Sequence, residues 1–182
     1  MDVAYAERFE RIPMSRAEFD QLPEKVRAEY VDGVALVTPP ARGDHNGVGL
    51  ELAIVLRQAF PDAIVRYDRG VELPTGTLRI PDVAVQIVRD DEAWSPNLPV
   101  LVVEILSRST RSEDLFRKTD DYRRSGIQQY WIVDRAARTL AVLVNAGEHW
   151  DIGLSLTDDS PTGSIEVADL GGVELDLTAL LA

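Results

Sequence analysis

The chain contains no cysteine. That absence excludes a disulfide framework, zinc ribbons, iron–sulfur ligation and a cysteine nucleophile. Histidine is scarce: the 182 residues hold two, so no histidine cluster can bind a metal. No apolar run approaches the roughly 18 residues needed to span a bilayer. The opening stretch MDVAYAERFERIPM carries charges where a secretory signal would be apolar, and a cytoplasmic protein is expected. Glycine-rich phosphate loops, dinucleotide fingerprints, a Ser-His-Asp arrangement, internal repeats and low-complexity linkers are all missing. What remains is a 45% hydrophobic chain, too apolar for wholesale disorder and long enough to bury a core without covalent staples. A single domain over residues 1–182 is expected, with a helical segment over 1–30 and a strand-and-turn extension over 145–182.

The net charge is −12, which argues against a protein that coats nucleic acid. Its distribution is uneven. Between Arg108 and Arg138 stand eight basic residues (Arg108, Arg111, Arg117, Lys118, Arg123, Arg124, Arg135 and Arg138) against five acids, a local +3. No Lys or Arg follows Arg138. Such a stretch is usually a solvated helix face and gains meaning only beside chemistry.

Ser15 and Glu18 fit a capping box and predict a helix from Ser15 to Tyr30. Tyr30-Val-Asp-Gly-Val then reads as a tight turn into a strand, Val34 to Val37, closed by Pro39-Pro40. The loop Gly43–Gly47 precedes a second helix, Val48 to Phe60, whose apolar residues recur at helical spacing and which Pro61 stops. Short strands are expected near Ile64–Tyr67 and Val71–Leu73. Longer β-rich runs follow at Leu78–Val88, Pro99–Leu106, Gln129–Asp134 and Arg138–Val144. Ser112 is a candidate cap for a helix from Glu113 to Ser125, ended by Gly126. Helices flanking a central run of strands make the fold class α/β or α+β.

Two carboxylates stand out. Asp82 follows Pro81 at the head of DVAVQIV, and Glu104 lies inside VLVVEIL. Ionised acids are rarely buried unless paired or bound to metal. The midpoint between them falls in the turn-rich stretch 90–97, so the two strands are expected to form a hairpin in which Asp82 faces Glu104. Facing carboxylates repel unless a cation lies between them, and all-oxygen ligation suits Mg²⁺ or Mn²⁺. Lys118, in the next helix, shares a face with Leu115 and Tyr122. It points either at the carboxylates or into an ordinary ion pair with Asp114; spacing alone favours neither.

These residues carry a resemblance. The runs IPDVAVQ and PVLVVEILSRSTRSEDLFRKTDDYRRSGIQQYWIVDR, with the upstream EYVDGVALVTPPARGDHNGVGLELAIVL, resemble the bacterial restriction-endonuclease-type family of the PD-(D/E)XK nuclease superfamily. The likeness covers about Glu29 to Asp134. It implies a restriction-endonuclease-like α/β core, a central mixed sheet flanked by helices, with extra C-terminal strands here. It also implies a Mg²⁺-dependent endonuclease acting on DNA, with Mn²⁺ as a substitute. Carried over by position, Asp82 and Glu104 become the motif acids and metal ligands, with the backbone carbonyl of Ile105 a further ligand. The superfamily lysine belongs two residues after the acid, where this chain has Leu106; the matching lysine is Lys118, which would orient or activate the attacking water. Arg108 and Arg111 could contact backbone phosphates.

Other residues stay open. Glu51 shares a helical face with Val48, Leu52 and Val55, and superfamily members often place a helix glutamate near the metal; a rim glutamate snorkelling to solvent is the plainer reading. His45 reads better as a loop or capping residue than as a ligand. Tyr130 and Trp131 read as core aromatics, and nothing local demands that Gln129 approach the site. A homodimer is expected because cutting both DNA strands takes two sites. Against the enzyme stands a second reading, a catalytically silent nuclease-like fold serving as a binding or assembly module. The acidic net charge favours that caution; the intact Asp, Glu and Lys set favours the enzyme.

Overall fold

The computed structural model describes residues 9–23, 25–38, 43–107 and 111–182, and the side chains of 43–46 lie outside the description. In chain order, β1 (Glu10–Pro13) and the single turn α1 (Arg16–Phe19) lead to β2 (Ala28–Val31) and β3 (Val34–Val37). Helix α2 (Gly43–Ala59) follows, then β4 (Ile64–Tyr67), β5 (Gly70–Glu72), β6 (Leu78–Arg79), β7 (Val83–Gln86), β8 (Trp94–Ser95) and β9 (Leu101–Ile105). A π-helical segment, Glu113–Lys118, runs into α3 (Thr119–Arg124). Strands β10 (Gln129–Asp134), β11 (Thr139–Asn145), β12 (Trp150–Leu156), β13 (Thr162–Val167) and β14 (Gly171–Asp176) precede a last turn, α4 (Leu177–Leu180).

The strands form two six-stranded sheets rather than one. The first has the order β1-β3-β2-β6-β5-β8 and the second β12-β11-β10-β9-β7-β4; β13 and β14 pair as a hairpin. The second sheet is mixed, with β9 and β10 parallel and β7 antiparallel to β9. The break between sheets falls at Ile80–Pro81–Asp82. The continuous run expected from Leu78 to Val88 is therefore two strands. Proline has no N–H for a ladder, so the chain leaves the first sheet after Arg79 and joins the second at Val83.

The helix expected from Ser15 to Tyr30 lasts one turn. Its capping box forms as read, with Ser15 and Glu18 bonding reciprocally. Pro23 then biases Leu22 away from helical geometry. Ala28–Val31 pair instead with β3 across a two-residue turn, Asp32 and Gly33 at φ 49° and 78°, the positive values that a type I′ hairpin requires. Helix α2 starts at Gly43, so residues 43–47 belong to the helix, not to a loop before it. Ser112 is itself helical, at φ −71° and ψ −33°, and its side chain caps nothing. The helix after it opens as a π-helix, a wide turn that is rare and frequently found at functional sites. The Pro39-Pro40 stop lies outside the described residues.

Alternation along β7 and β9 divides the interior. Val83, Val85, Leu101, Val103 and Ile105 face α2, the C-terminal hairpin and α4, where Leu52, Leu56, Phe60, Leu175 and Leu177 complete the larger core. Ala84 and Val102 face the other way, toward Tyr122, Ile127 and Tyr130. A third cluster, around Phe19, Ala28, Ala35, Val37 and Leu78, backs the first sheet. Among the described residues no helix is long and apolar enough to cross a membrane.

Candidate active site

The ladder between β7 and β9 pairs Val83 with Val103, Ala84 with Val102 and Val85 with Leu101. Extending that register by one residue sets Asp82 opposite Glu104, on the face that α3 covers. Asp82 fills the place where the ladder fails: its Oδ2 accepts the Ile105 N–H at 2.7 Å. A strand residue turns its N–H and C=O to the same edge, so the Ile105 carbonyl also looks toward β7. Pro81, next in register there, has no N–H to offer it.

Glu104 is buried on β9, and its Oε1 accepts two hydrogen bonds, from Lys118 Nζ and from the Tyr122 hydroxyl, each at 2.8 Å. Oε2 takes none from the described residues. Lys118 and Tyr122 are four residues apart and share one face of the helical segment, with Asp114 a turn earlier. The Lys118 ammonium also lies 3.0 Å from Glu29 Oε1 and 3.4 Å from Asp114 Oδ1. Three carboxylates thus surround one buried cation. Burial pulls Lys118 down, but Glu104, Glu29 and Asp114 outweigh it and hold the ammonium above its usual range. Glu104 feels the excess of acids most: burial, then Asp82, Asp114 and Glu29, push its carboxyl well up against the pull of Lys118. The Tyr122 hydroxyl is pushed up too, by burial and by Glu104, and stays a hydrogen-bond donor.

Behind this group is a second layer from the first sheet. Glu29 on β2 accepts the Ile80 N–H at 2.9 Å through Oε1, and its Oε2 pairs with Arg79 at 2.8 Å. Arg79 is fully buried and also reaches Glu113 at 3.0 Å and Asp121 at 2.6 Å. Burial opposes ionisation of Glu29, but Lys118 and Arg79 prevail and hold its carboxyl down at about 2. Sequence reasoning passed over Glu29 and Arg79, and weighed Asp114 only as an alternative partner of Lys118. The signal was present for the first two: each is a charged side chain inside an apolar strand, the same anomaly that marked Glu104.

Asp82, Glu104, Ile105 and Lys118 therefore come together. Glu51 does not join them. It is exposed on α2, lining a shallow recess with Val55, Glu174 and Leu180 on the opposite side of the second sheet. Leu52 and Leu56 turn α2 toward the larger core, which leaves Glu51 at the rim. Gln129 also points away, donating to the Glu166 carbonyl. Tyr130 and Trp131 are buried core aromatics. Arg111 is half exposed and pairs with Asp134 at 2.6 Å. Arg108 and the His45 side chain lie outside the described residues. The locally basic stretch forms no open basic face among the described residues: Arg117, Arg123, Arg124 and Arg138 each pair with an acid, and Lys118 is buried.

Among the described residues no three His, Asp or Glu side chains converge as a metal cage. The fitting set is smaller: a carboxylate on β9 and one just before β7, the former with an oxygen that takes no hydrogen bond from the described residues, and a carbonyl on the same edge. All are hard oxygen donors of the kind Mg²⁺ takes while keeping several waters.

The family model described as "Uma2: Putative restriction endonuclease" matches residues 16–177. The chain belongs to the Uma2 family. The Uma2 chain is also similar to a crystal structure from Anabaena variabilis ATCC 29413, described as a "putative nuclease belonging to DUF820", with a TM-score of 0.73. The alignment covers 93% of this chain and 98% of that one at 19% identity, so it establishes a shared fold. No curated protein matches the Uma2 chain.

Proposed function

We propose that the protein is a metal-dependent endonuclease that hydrolyses DNA phosphodiester bonds. One observation carries the reading: Asp82 and Glu104 meet across the β7–β9 ladder with the Lys118 ammonium 2.8 Å from Glu104. The Uma2 match and the nuclease-like fold support it. Asp82, Glu104 and the Ile105 carbonyl would hold Mg²⁺, with Mn²⁺ as a substitute. When bound, the ion would lower the pKa of a water and polarise the phosphodiester. The chain's own residues supply the rest. Glu104 divides its labour, with Oε1 fixing Lys118 and Tyr122 while Oε2 remains for the cation. Lys118 would orient the attacking water and offset charge developing on the phosphate. Tyr122 keeps the Glu104 carboxylate from rotating. Arg108 and Arg111 would contact neighbouring phosphates; Arg111 must trade Asp134 for them. Double-strand cleavage needs two sites, so the reading includes a homodimer, which light scattering tests.

The paired arginines favour a second reading, a nuclease-like fold retained as a binding or assembly module. The deciding experiment incubates purified protein with a mixed DNA pool and Mn²⁺ and sequences the ends produced. Cleavage that EDTA abolishes supports the endonuclease. No cleavage and no binding of divalent metal by calorimetry would leave the module.

A further inference from the structure

We infer that Glu29 is a positioning residue for Lys118, tying the catalytic ammonium in the second sheet's covering helix to the chain crossing that delivers Asp82. The inference rests on the endonuclease reading and goes beyond it, because Glu29 comes from the other sheet and touches neither Asp82 nor Glu104 among the contacts described. A single oxygen does the tying. Glu29 Oε1 accepts the Ile80 N–H at 2.9 Å and lies 3.0 Å from Lys118 Nζ. Ile80 stands two residues before Asp82, in the segment where the chain passes from sheet to sheet. The same atom therefore links the crossing to one of the three directions in which the ammonium is held.

The other oxygen explains why Glu29 itself does not wander. Oε2 pairs with Arg79, whose guanidinium is fully buried and clamped further by Glu113 and Asp121. Glu113 and Asp121 flank Lys118 on the same helical segment, so Arg79 fastens that segment to the first sheet on both sides of the lysine. A flexible four-carbon side chain is a poor positioning device alone. Here its end group is fixed by acceptors from three elements: Glu104 on β9, Asp114 on its own helix and Glu29 on β2. Of these, Glu29 alone belongs to the first sheet.

The chain has two lysines, Lys25 and Lys118, which makes the ammonium directly observable. In ¹⁵N spectra of the full-length protein, the Lys118 ammonium should give a slowly exchanging signal, assigned by its loss in Lys118→Ala. Glu29→Asp retains the charge and withdraws the carboxylate by one methylene. It should shift or broaden that signal and lower kcat at least tenfold on DNA with Mn²⁺, while KM and the Mn²⁺ dissociation constant stay within about threefold. Glu29→Gln should act likewise, and neither change should lower kcat further in a Lys118→Ala background. An unchanged Lys118 signal in both variants overturns the inference, as does wild-type kcat or an additive double variant. If the wild type cuts no DNA, the endonuclease reading fails, and the ammonium signal still decides whether Glu29 holds Lys118. If Glu29→Gln does not fold, Glu29→Asp carries both measurements.

Discussion

At the scale of single residues, buried like charge dominates. Asp82 and Glu104 face each other on an apolar sheet, and burial with neighbouring acids pushes Glu104 up. Removing one charge while keeping the shape should therefore stabilise the metal-free protein. Asp82→Asn or Glu104→Gln is expected to raise the metal-free melting temperature by about 2–4 °C per kcal/mol of relieved repulsion, measured by calorimetry. Millimolar Mn²⁺ should raise the wild-type melting temperature and leave these variants nearly unmoved, because binding to the folded state alone stabilises it. Lys118→Ala should lower turnover about 100-fold with metal affinity close to normal, read by calorimetry beside a cleavage assay. The pairing register was legible in the sequence because two strand acids lay symmetrically about a turn-rich stretch. Lys118 was legible only as an alternative, since i,i+4 spacing to Asp114 fits both roles and the structure shows it contacting Asp114 and Glu104 together. Glu29 and Arg79 were not recognised because Glu29 falls within the helix expected from Ser15 to Tyr30 and their partners are remote in sequence.

At the scale of elements, proline and glycine decide where local pattern gives way. Strands with strong alternation or a clear turn, such as Val34–Val37, Ile64–Tyr67 and Gln129–Asp134, stand where the sequence places them. The N-terminal helix fails after one turn because Ala28–Val31 find a hairpin partner, and pairing outweighs weak helix propensity. The split between β6 and β7 was hidden because Ile80 and Pro81 are apolar and read as strand. Gly70 offers a direct test of element packing. It pairs with Trp94 on β8, and an added Cβ there would lie 2.3 Å from the indole. Trp94 packs against Phe19 in the first sheet's core, with ring centroids 5.9 Å apart, so it has little room to retreat. Gly70→Ala should cost about 1–3 kcal/mol in denaturant unfolding and change tryptophan emission. A variant as stable as wild type would show that Trp94 moves freely.

At the scale of the whole molecule, charge is organised inward. The net −12 gives no attraction for DNA, and most described arginines of the locally basic stretch are paired. The buried layer around Glu29 gives stability a pH signature. In the unfolded chain this carboxyl titrates near its ordinary 4.5, whereas in the fold it is held at about 2. Its contribution is thus complete above pH 4.5 and is lost as the pH falls toward 2, up to about 3 kcal/mol. Unfolding free energies measured across that window should fall more steeply for the wild type than for Glu29→Gln. Parallel slopes would show that other groups govern acid unfolding. The sequence shows the two charges as anomalies but not their pairing, because an ion pair between β2 and β6 depends on the order of strands in a sheet.

The seam at Ile80–Pro81–Asp82 has a consequence in time as well as in space. Arg79 and Glu29 belong to one sheet and Glu104 to the other, with Asp82 at the end of the seam just before β7. A chain caught with only the second sheet formed would keep Glu104 and Asp114 around its ammonium but lack Glu29, the third acceptor. If the protein cuts DNA, full power needs both sheets docked, because each supplies an acceptor to the Lys118 ammonium.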